Sequence, residues 1–425
     1  MLETNNEVKN KKYLLFRDHD IKILNQEESL SPLVETGAWT IYSGGSRIQV
    51  LDLLDDFILG KKNILLSNSN LQESTKIAAE LEKIYGKEMQ LIAFSTSGSS
   101  GKSKIVVHQL ETLLNASNKF IEHYPDIQGK KTYAAFPSNY MAGILNNLFV
   151  PLLANTSIVL DRQFDRLTPY RIGEILNQNR IEWLWLSPGM IKSTLNTKRK
   201  IERQTRLSKI FNATGPLNSS LRIEASSFFS CPVLNTYGLT ELMFVSGETA
   251  MSEEVTIGES MKGVSLNLTE KQNIEIVTDT LPSAIFEIDF FDNLSNSKIL
   301  NNNHKFVTSD LAVEYKKGLY QITSRSDGIR VINGMNVSLN AIENCVIEIE
   351  NITAAFSGIR KKNDKEELIL IMECQDHEKP EDHFVREKIA SELPAGHIPN
   401  VIEFESLPRL YSGKIDRVNC ERIFL

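Results

Sequence analysis

The chain has 425 residues, of which 41% are hydrophobic, and its 47 Lys and Arg against 54 Asp and Glu give a formal net charge of −7 at pH 7. At roughly 150 residues per domain, this length suits two or three domains, each large enough to bury a core. The acidic balance argues against a protein whose body binds nucleic acid, because neutralising phosphates requires a basic face.

The cysteines and the apolar segments indicate a cytoplasmic protein. Four cysteines are widely spaced and none forms a CxxC pair, so we expect a reducing compartment and no disulfide framework. The polar first twelve residues lack the apolar core of a signal peptide. The most apolar stretch, residues 141–160, is interrupted by Asn146, Asn147 and Pro151, so we predict no membrane span.

From residue 62 onward, short β-rich apolar runs alternate with amphipathic segments of helical period. The first of these helices has apolar residues at helical spacing from Leu71 to Ile84 and should end at Gly86, a residue that favours the left-handed C-cap. Strands alternating with helices predict an α/β body of largely parallel, helix-covered sheets. The predicted strands lie at residues 63–67, 91–94, 133–136, 157–160, 181–186, 209–213 and 233–237.

The pattern changes after about residue 260. Hairpin-like runs such as residues 284–291 predict a β-rich subdomain, with few helices before residue 338. The last hundred residues or so predict a small α+β domain. Its helices are expected near 340–349 and 381–393, and its strands near 354–358, 367–374 and 401–404.

A loop rich in serine and glycine is the most informative segment. Residues 94–104 read Phe-Ser-Thr-Ser-Gly-Ser-Ser-Gly-Lys-Ser-Lys, directly after a predicted strand. Glycines let backbone N–H groups turn toward an anion and hydroxyls add donors, so such a loop suits phosphate. The Walker A spacing fails, because Thr96 stands where the first glycine of that motif is required. Taken alone, such a loop is more often a flexible connector.

Three later segments add candidate ligands for a nucleotide. Residues 235–241 offer an aromatic ring for a base and a carboxylate, Glu241, for Mg²⁺. Asp310 can accept both hydroxyls of a ribose, with Arg325 beside it. Lys414 follows Ser-Gly in a loop and suits a charge delivered by domain closure. Each segment also has an ordinary interpretation, as a turn, a surface ion pair or a solvated lysine.

The order of these segments resembles the adenylate-forming (ANL) superfamily, which includes acyl-CoA synthetases, peptide-synthetase adenylation domains and luciferases. The resemblance extends from about residue 63 to residue 417, and the compact length is similar to that of o-succinylbenzoate-CoA ligases. It implies that a small carboxylic acid attacks the α-phosphorus of MgATP, that pyrophosphate leaves, and that the acyl-adenylate passes to a thiol. That thiol would belong to CoA or to the phosphopantetheine of an acyl carrier protein.

The resemblance also implies roles for individual residues. Lys414 and Thr240 would be catalytic, together with Glu241, which would hold Mg²⁺. Tyr237 would flank the adenine. The ATP- or AMP-binding residues would be Thr96, Ser97, Gly98, Ser99, Ser100, Gly101, Lys104, Ala213, Thr214, Gly215, Tyr237, Asp310 and Arg325. The acyl pocket would contain Tyr140, Gly143, Asn147 and Gly189.

The same resemblance divides the chain into two parts. Residues 1–326 would form the adenylation body, and residues 328–425, here called the C-terminal segment, would form a mobile lid that carries Lys414. The hinge would be Asp327, and rotation about it would bring Gly334 to the thiol tunnel.

Some positions depart from the family pattern. Serines replace the usual proline at Ser103 and the usual glycines at Ser309 and Ser324, and the gate motif ending at Tyr140 lacks its histidine. Since Lys414, Asp310 and Glu241 persist, altered kinetics are favoured over lost activity. Leu239 replaces a proline, and residues 136–150 contain no acid to hold an amine, which favours a plain acyl or aryl acid.

Three functions therefore stay open. The first is an acid–thiol ligase using CoA; the second is a stand-alone adenylation enzyme that loads a carrier protein or an amine. The third is an inactive nucleotide-binding homologue. The particular acid and the oligomeric state, including a homodimer, are also open.

Overall fold

The computed structural model describes residues 15–24, 33–44, 47–67, 71–96, 104–161, 164–197, 206–288, 294–296, 304–332, 335–362, 365–374, 379–410 and 414–425. The described strands are β1 (Ile21–Ile23), β2 (Val34–Thr36), β3 (Trp39–Tyr42), β4 (Asn63–Leu66), β5 (Leu91–Thr96), β6 (Lys104–Gln109), β7 (Lys131–Ala134), β8 (Ser157–Leu160), β9 (Trp183–Leu186), β10 (Lys209–Asn212), β11 (Val233–Leu239), β12 (Met243–Gly247), β13 (Glu259–Ser260), β14 (Ser265–Leu268), β15 (Asn273–Val277), β16 (Ala284–Ile288), β17 (Leu294–Asn296), β18 (Lys305–Lys316), β19 (Leu319–Arg325), β20 (Ile329–Ile332), β21 (Met335–Ser338), β22 (Ile352–Lys362), β23 (Lys365–Cys374) and β24 (Val401–Phe404). The described helices are α1 (Arg47–Ile58), α2 (Leu71–Tyr85), α3 (Leu110–His123), α4 (Met141–Ile144), α5 (Val150–Leu153), α6 (Thr168–Gln178), α7 (Pro188–Asn196), α8 (Ser219–Phe229), α9 (Leu339–Ile347), α10 (Asp382–Glu392) and α11 (Arg417–Phe424). A π-helical segment, Leu145–Phe149, joins α4 to α5.

An eight-stranded sheet forms the centre of the body, in the order β1-β8-β7-β9-β10-β11-β12-β13. In this order the strands from β1 to β11 pair in parallel, whereas the pairs β11·β12 and β12·β13 are antiparallel. Helix α3 packs its apolar face here, and the ring centroid of Phe120 lies 5.0 Å from that of Trp185 and 4.5 Å from that of Phe244. The predicted parallel α/β body is confirmed for this sheet.

The second large sheet is mixed rather than parallel. Its order is β17-β16-β6-β5-β4-β3-β2, and only β3, β4 and β5 pair in parallel. Strand β5 ends at Thr96 and β6 begins at Lys104, and the two pair antiparallel. A parallel pair needs a crossover of a dozen or more residues, so the short serine- and glycine-rich connection can join only an antiparallel pair.

Most strands of the predicted β-rich subdomain form a four-stranded antiparallel sheet in the order β14-β15-β18-β19, but the run that begins at residue 284 forms β16 of the second large sheet instead. The register of the four-stranded sheet places Asp310 of β18 opposite Arg325 of β19. The C-terminal segment contains the predicted α+β arrangement, with the sheet β22-β23-β24 covered by helices. Its buried apolar residues, such as Val346, Leu370 and Ile389, cluster with one another. Within the described residues, none of the helices has the length and apolar character needed to cross a bilayer.

One buried ion pair stabilises the strand that leads into the predicted adenine site. Arg222 of α8 and Glu248 after β12 are 1% and 2% exposed, and Arg222 Nη1 lies 3.0 Å from Glu248 Oε1. The other carboxylate oxygen of Glu248 accepts the backbone N–H of Asn235 in β11 at 2.9 Å. The pair therefore links α8 to the start of residues 235–241.

We expect Arg222→Met to lower the free energy of unfolding by about 3–5 kcal/mol, because it leaves the Glu248 carboxylate buried and uncompensated. Urea unfolding at pH 7 measures the change. Lys61→Met is the matched control: its pair with Asp56 is exposed, and its loss should cost less than about 1 kcal/mol. Equal, small losses in the two variants would contradict the assigned role of the buried pair.

Candidate functional site

A cavity of about 930 Å³, the central cavity, opens at the carboxyl ends of the parallel strands β10 and β11. The four-stranded sheet and helix α9 of the C-terminal segment complete its walls. It brings together residues that lie up to 320 positions apart, between Phe94 and Lys414. The predicted site residues that line it are Thr96, Lys104, Tyr140, Ala213, Thr214, Gly215, Tyr237, Thr240, Glu241, Asp310, Arg325 and Lys414.

A chain of hydrogen bonds joins three of these residues. The Tyr237 hydroxyl donates to Asp310 Oδ2 at 2.5 Å, and Arg325 Nη1 donates to Asp310 Oδ1 at 2.8 Å. Burial and the neighbouring Asp310 charge raise the pKa of Tyr237 well above its ordinary value. Tyr237 therefore stays a neutral donor, and Asp310 is held at the cavity wall from two sides.

The backbone near this chain of hydrogen bonds is unusual at two positions. At Gly238 the pairing of β11 with β12 shifts, and a Cβ atom would lie 2.1 Å from the carbonyl oxygen of Met243. Only glycine fits this close approach. Thr214 has a φ of 72°, a left-handed conformation that a β-branched residue seldom adopts. Such strain is concentrated at functional sites, and here it shapes the loop after β10.

A buried histidine lies behind Thr240. His108 of β6 is fully buried, and its Nε2 lies 2.8 Å from the carbonyl oxygen of Thr240. Burial lowers the pKa of His108 to about 4, so the ring is neutral at pH 7 and its Nε2–H can donate to that carbonyl. The contact supports the turn that presents Thr240 and Glu241 to the central cavity.

Lys414 brings a positive charge from the C-terminal segment. Its Nζ lies 5.8 Å from the centroid of the Tyr140 ring, within the range of a cation–π contact. Much of the Lys414 surface faces the open cavity, yet enclosure of the ammonium and the nearby Arg325 charge both lower its pKa. Among the described residues, neither Lys414 nor Lys104 has an ion-pair partner in the cavity.

Glu241 is the candidate metal ligand. It lines the cavity, and no group of three or more His, Cys, Asp or Glu that could hold a metal occurs in the described part of the chain. Mg²⁺ commonly binds through one or two carboxylates together with substrate phosphates. Glu241 therefore fits a Mg²⁺ that arrives with a nucleotide.

Helix α9 forms the wall of the cavity that belongs to the C-terminal segment, and helix α11 pairs with it. Asn340, Glu343 and Asn344 of α9 line the cavity, and Arg417 of α11 forms an ion pair with Glu343. Burial raises the pKa of Glu343, and the Arg417 charge opposes that rise. The sequence signal for this wall was available: polar residues at i, i+3 and i+4 on one helix face.

A lysine of α7 makes another contact between the body and the C-terminal segment. Lys192 Nζ donates to the backbone carbonyl of Ile347, the last residue of α9, and lies 3.4 Å from the carbonyl oxygen of Ile349. Burial lowers the pKa of Lys192 to about 8. The cation thus caps the negative end of the helix that lines the cavity.

Three predicted acyl-pocket residues are not among the described residues that line the cavity. Gly143 packs against backbone, and a Cβ there would lie 1.6 Å from the carbonyl oxygen of Pro137. Asn147 is buried and donates to the carbonyl of Phe136 at 3.0 Å. Gly189 is the second residue of helix α7, for which Ser187 provides the N-cap. These three residues therefore do not line the central cavity, and their place in the acyl pocket stays a prediction.

Other predicted residues lie outside the described residues: Ser97, Gly98, Ser99, Ser100, Gly101 and Gly334. The backbone of Asp327 is described, in a short 3-10 turn, Ser326–Gly328. The structure adds two residues that the motifs did not reveal. Asn146 lines the cavity, and Arg47 of α1 donates to the carbonyls of Ala134 and Phe136 at 2.5 Å each, holding the strand end before Tyr140.

The fold and the cavity together define a nucleotide-binding α/β protein. Residues 58–280, just over half of the chain, match the family described as AMP-binding enzyme, and the chain belongs to this family. The resemblance to adenylate-forming enzymes drawn from the motifs is thereby confirmed.

Known relatives agree at low identity. Gramicidin S synthase 2 of Aneurinibacillus migulanus is 23% identical over 342 residues, which cover 76% of this chain and 8% of that protein. Benzoate–CoA ligase of Thauera aromatica is 24% identical over 352 residues, covering 76% of this chain and 64% of the ligase. The chain thus spans less than two thirds of these relatives.

The fold matches solved structures over more of its length. The o-succinylbenzoate CoA synthetase of Bacillus subtilis, in complex with its acyl-adenylate intermediate, superposes with a TM-score of 0.71 at 15% identity. The match covers 90% of this chain and 87% of that one. It confirms the α/β fold class.

We expect the stability of the protein to fall on acidification through His108. An unfolded chain takes up this proton near pH 6.5, whereas the folded chain does so only near pH 4, so protons favour unfolding between these values. At pH 5 the linked loss is about 2 kcal/mol. His108→Gln keeps an N–H donor for Thr240 but does not titrate, so it should lack this part of the pH dependence.

Urea unfolding of both proteins at pH 7.5 and pH 5.0 measures the difference. Parallel losses of stability in the wild type and in His108→Gln would contradict the burial of a neutral histidine. His383→Gln is the control, since His383 is exposed on α10.

Proposed function

We propose that this protein activates a small carboxylic acid with ATP to form an acyl-adenylate and pyrophosphate, and then transfers the acyl group to the thiol of CoA. The observation that carries this proposal is the central cavity itself. The hydrogen-bonded residues Tyr237, Asp310 and Arg325 line this cavity. Thr240, Glu241 and Lys414 line the same cavity.

The nucleoside would be held by the body. Asp310 accepts bonds from Tyr237 and Arg325 and is 4% exposed, so its position is set before a ligand arrives. A carboxylate oxygen has room for more than one donor, and ribose hydroxyls would donate to it. The strained loop Ala213-Thr214-Gly215 lines the same cavity, where a flat base would lie against its backbone.

The phosphates would meet positive charge and hydroxyls. Lys104 stands at the start of β6, directly opposite Thr96 in the hairpin register, and both line the cavity. Thr240 would donate its hydroxyl to the α-phosphate. Glu241 would hold Mg²⁺, which neutralises phosphate charge when bound.

Lys414 would act on the acid. Its ammonium is free of carboxylate partners in the described structure and lies against the Tyr140 ring, so it can pair with the carboxylate of the substrate. One carboxylate oxygen forms a bond to the α-phosphorus, and the bond from that phosphorus to the pyrophosphate oxygen breaks. Lys414 would hold both the acid and the phosphate oxygens in place and offset their repulsion.

The second reaction, transfer of the acyl group to the thiol, would require movement between two domains. We propose a body of residues 1–326 and a lid formed by the C-terminal segment, with the hinge at Asp327. Rotation about this hinge would withdraw Lys414 after adenylation and open the site to the thiol, with Gly334 at its entrance. The separate apolar core of the C-terminal segment is consistent with movement as a unit.

The acceptor is the part of the proposal that most needs a direct comparison. Gramicidin S synthase 2 and benzoate–CoA ligase both match this chain, and their names indicate different products. Free CoA and a phosphopantetheinylated carrier protein, offered with the same acid, separate the two. A clear preference for the carrier, or for an amine, would overturn the CoA assignment. We infer a cytoplasmic enzyme that acts without nucleic acid.

We expect Mg²⁺-dependent ATP–pyrophosphate exchange with at least one acid of a panel of alkyl and aryl acids. Lys414→Met should lower the exchange rate by about 100-fold or more, because it removes a charge aimed at the reacting groups. The control is Lys379→Met, a lysine of the C-terminal segment that does not line the cavity. Silence with every acid, or equal exchange in Lys414→Met and the wild type, would rule the proposal out.

We expect Asp310→Asn to weaken ATP binding by about 10- to 100-fold, the usual cost of losing a hydrogen bond to a charged group. Isothermal titration with ATP, 2′-deoxyATP and 3′-deoxyATP measures the effect. If Asp310 binds the ribose, two losses of binding free energy should not be additive: that from removing a ribose hydroxyl and that from removing the Asp310 charge. Fully additive losses would place the ribose elsewhere. Asp279→Asn, at an exposed position, is the control.

A further inference from the structure

We infer that the acid activated in the central cavity carries a neutral hydrogen-bonding group, such as a hydroxyl, ketone or amide, and that the side-chain amide of Asn146 recognises it. This inference rests on the proposed function and names the substrate class for it.

The first observation is an unsatisfied amide at a buried position. Asn146 is 3% exposed and lines the central cavity, and its side chain has no hydrogen-bond partner among the described residues. Asn147, the adjacent asparagine, behaves differently, since its amide nitrogen donates to the carbonyl of Phe136. Asn147 thus supports the backbone, whereas Asn146 offers its amide to the cavity.

The second observation is the backbone that carries Asn146. Residues 145–149 form a π-helical turn inside the otherwise α-helical stretch from α4 to α5. Such turns are rare and are frequently found at functional sites. The wider turn rotates the residues that follow it relative to an ordinary α-helix. Asn146, rather than Asn147, lines the cavity together with Met141 and Ala142.

The third observation is the direction in which the substrate must extend. Tyr140 precedes α4, and its ring lies 5.8 Å from Lys414 Nζ. A carboxylate paired with Lys414 therefore starts beside Tyr140. The rest of the acid, leading away from the nucleotide, would pass along Met141, Ala142 and Asn146.

The chemistry of this wall selects a neutral polar group. Residues 136–150 contain no charged side chain, so this wall provides no partner for a second carboxylate or an ammonium. An amide has both donors and an acceptor and suits a hydroxyl, a ketone or another amide. A site built to hydrogen-bond a substrate group rejects the analogue that lacks it, because the buried amide is then left unpaired.

The test compares matched pairs of acids. Hydroxy or oxo acids are assayed beside the parent acids that lack the group, with the group at successive distances from the carboxyl. The readout is kcat/KM for ATP–pyrophosphate exchange. We expect the wild type to prefer the polar member of at least one pair by 10-fold or more. Asn146→Leu, which has a similar volume but no amide, should lose that preference.

Asn146→Ala is a second variant in case leucine disturbs packing, and the KM for ATP reports whether the nucleotide site remains intact. The ratio of preferences, wild type over variant, decides the outcome. A ratio near one in both variants would overturn the inference while leaving the proposed function in place.

Absence of exchange with every acid would instead count against the proposed function. The inference is then judged by binding alone, with acids titrated into wild type and Asn146→Leu in the presence of a non-hydrolysable ATP analogue. Tighter binding of the polar acid to the wild type supports it. Equal binding to the two proteins overturns it.

Discussion

Parallel pairing of strands is the constraint on which the site depends. The registers Ile210↔Val233 and Phe211↔Trp185 align β9, β10 and β11 so that their carboxyl ends reach the same edge of the sheet. Each chain segment leaving that edge enters the space above it. The loop after β10, the Tyr237 end of β11 and the segment after β7 therefore converge, although they are distant in the sequence. Ligand-binding side chains on these loops acquire a common rigid base.

The four-stranded antiparallel sheet contributes an ion pair to the site formed by the parallel strands. An antiparallel register sets Asp310 directly opposite Arg325, so a buried carboxylate has its cation across one pair of strands. The Tyr237 hydroxyl reaches the same carboxylate from the eight-stranded sheet. A buried charge is costly unless it is paired and hydrogen-bonded, and these two partners together meet that need. The resulting contact also joins the two sheets at the rim of the cavity.

The sequence predicts much of this arrangement but not all of it, and the misses have local causes. Helix α2 follows from its apolar period and from Gly86, and Asp310 and Lys414 follow from ordered motifs. Asn147 was implied by the family resemblance, whereas the structure places Asn146 in the cavity lining, on a π-helical turn that the sequence pattern does not reveal. Gly143 has the composition of a pocket lining, but the approach of a carbonyl group requires glycine there. Arg47 lies in a region without motifs, and its partners at and just after the end of β7 are almost ninety residues away.

The contact of Lys192 with the end of α9 links the position of the C-terminal segment to pH. In this arrangement the pKa of Lys192 is about 8, below its ordinary value of 10.5, because the amine is buried against the carbonyl of Ile347. A displacement that returned the amine to water would restore the ordinary value and bind protons from solution. Between these two pH values the two arrangements differ in proton content. The docked arrangement thus gains relative stability as the medium becomes more alkaline, through a residue that does not line the cavity.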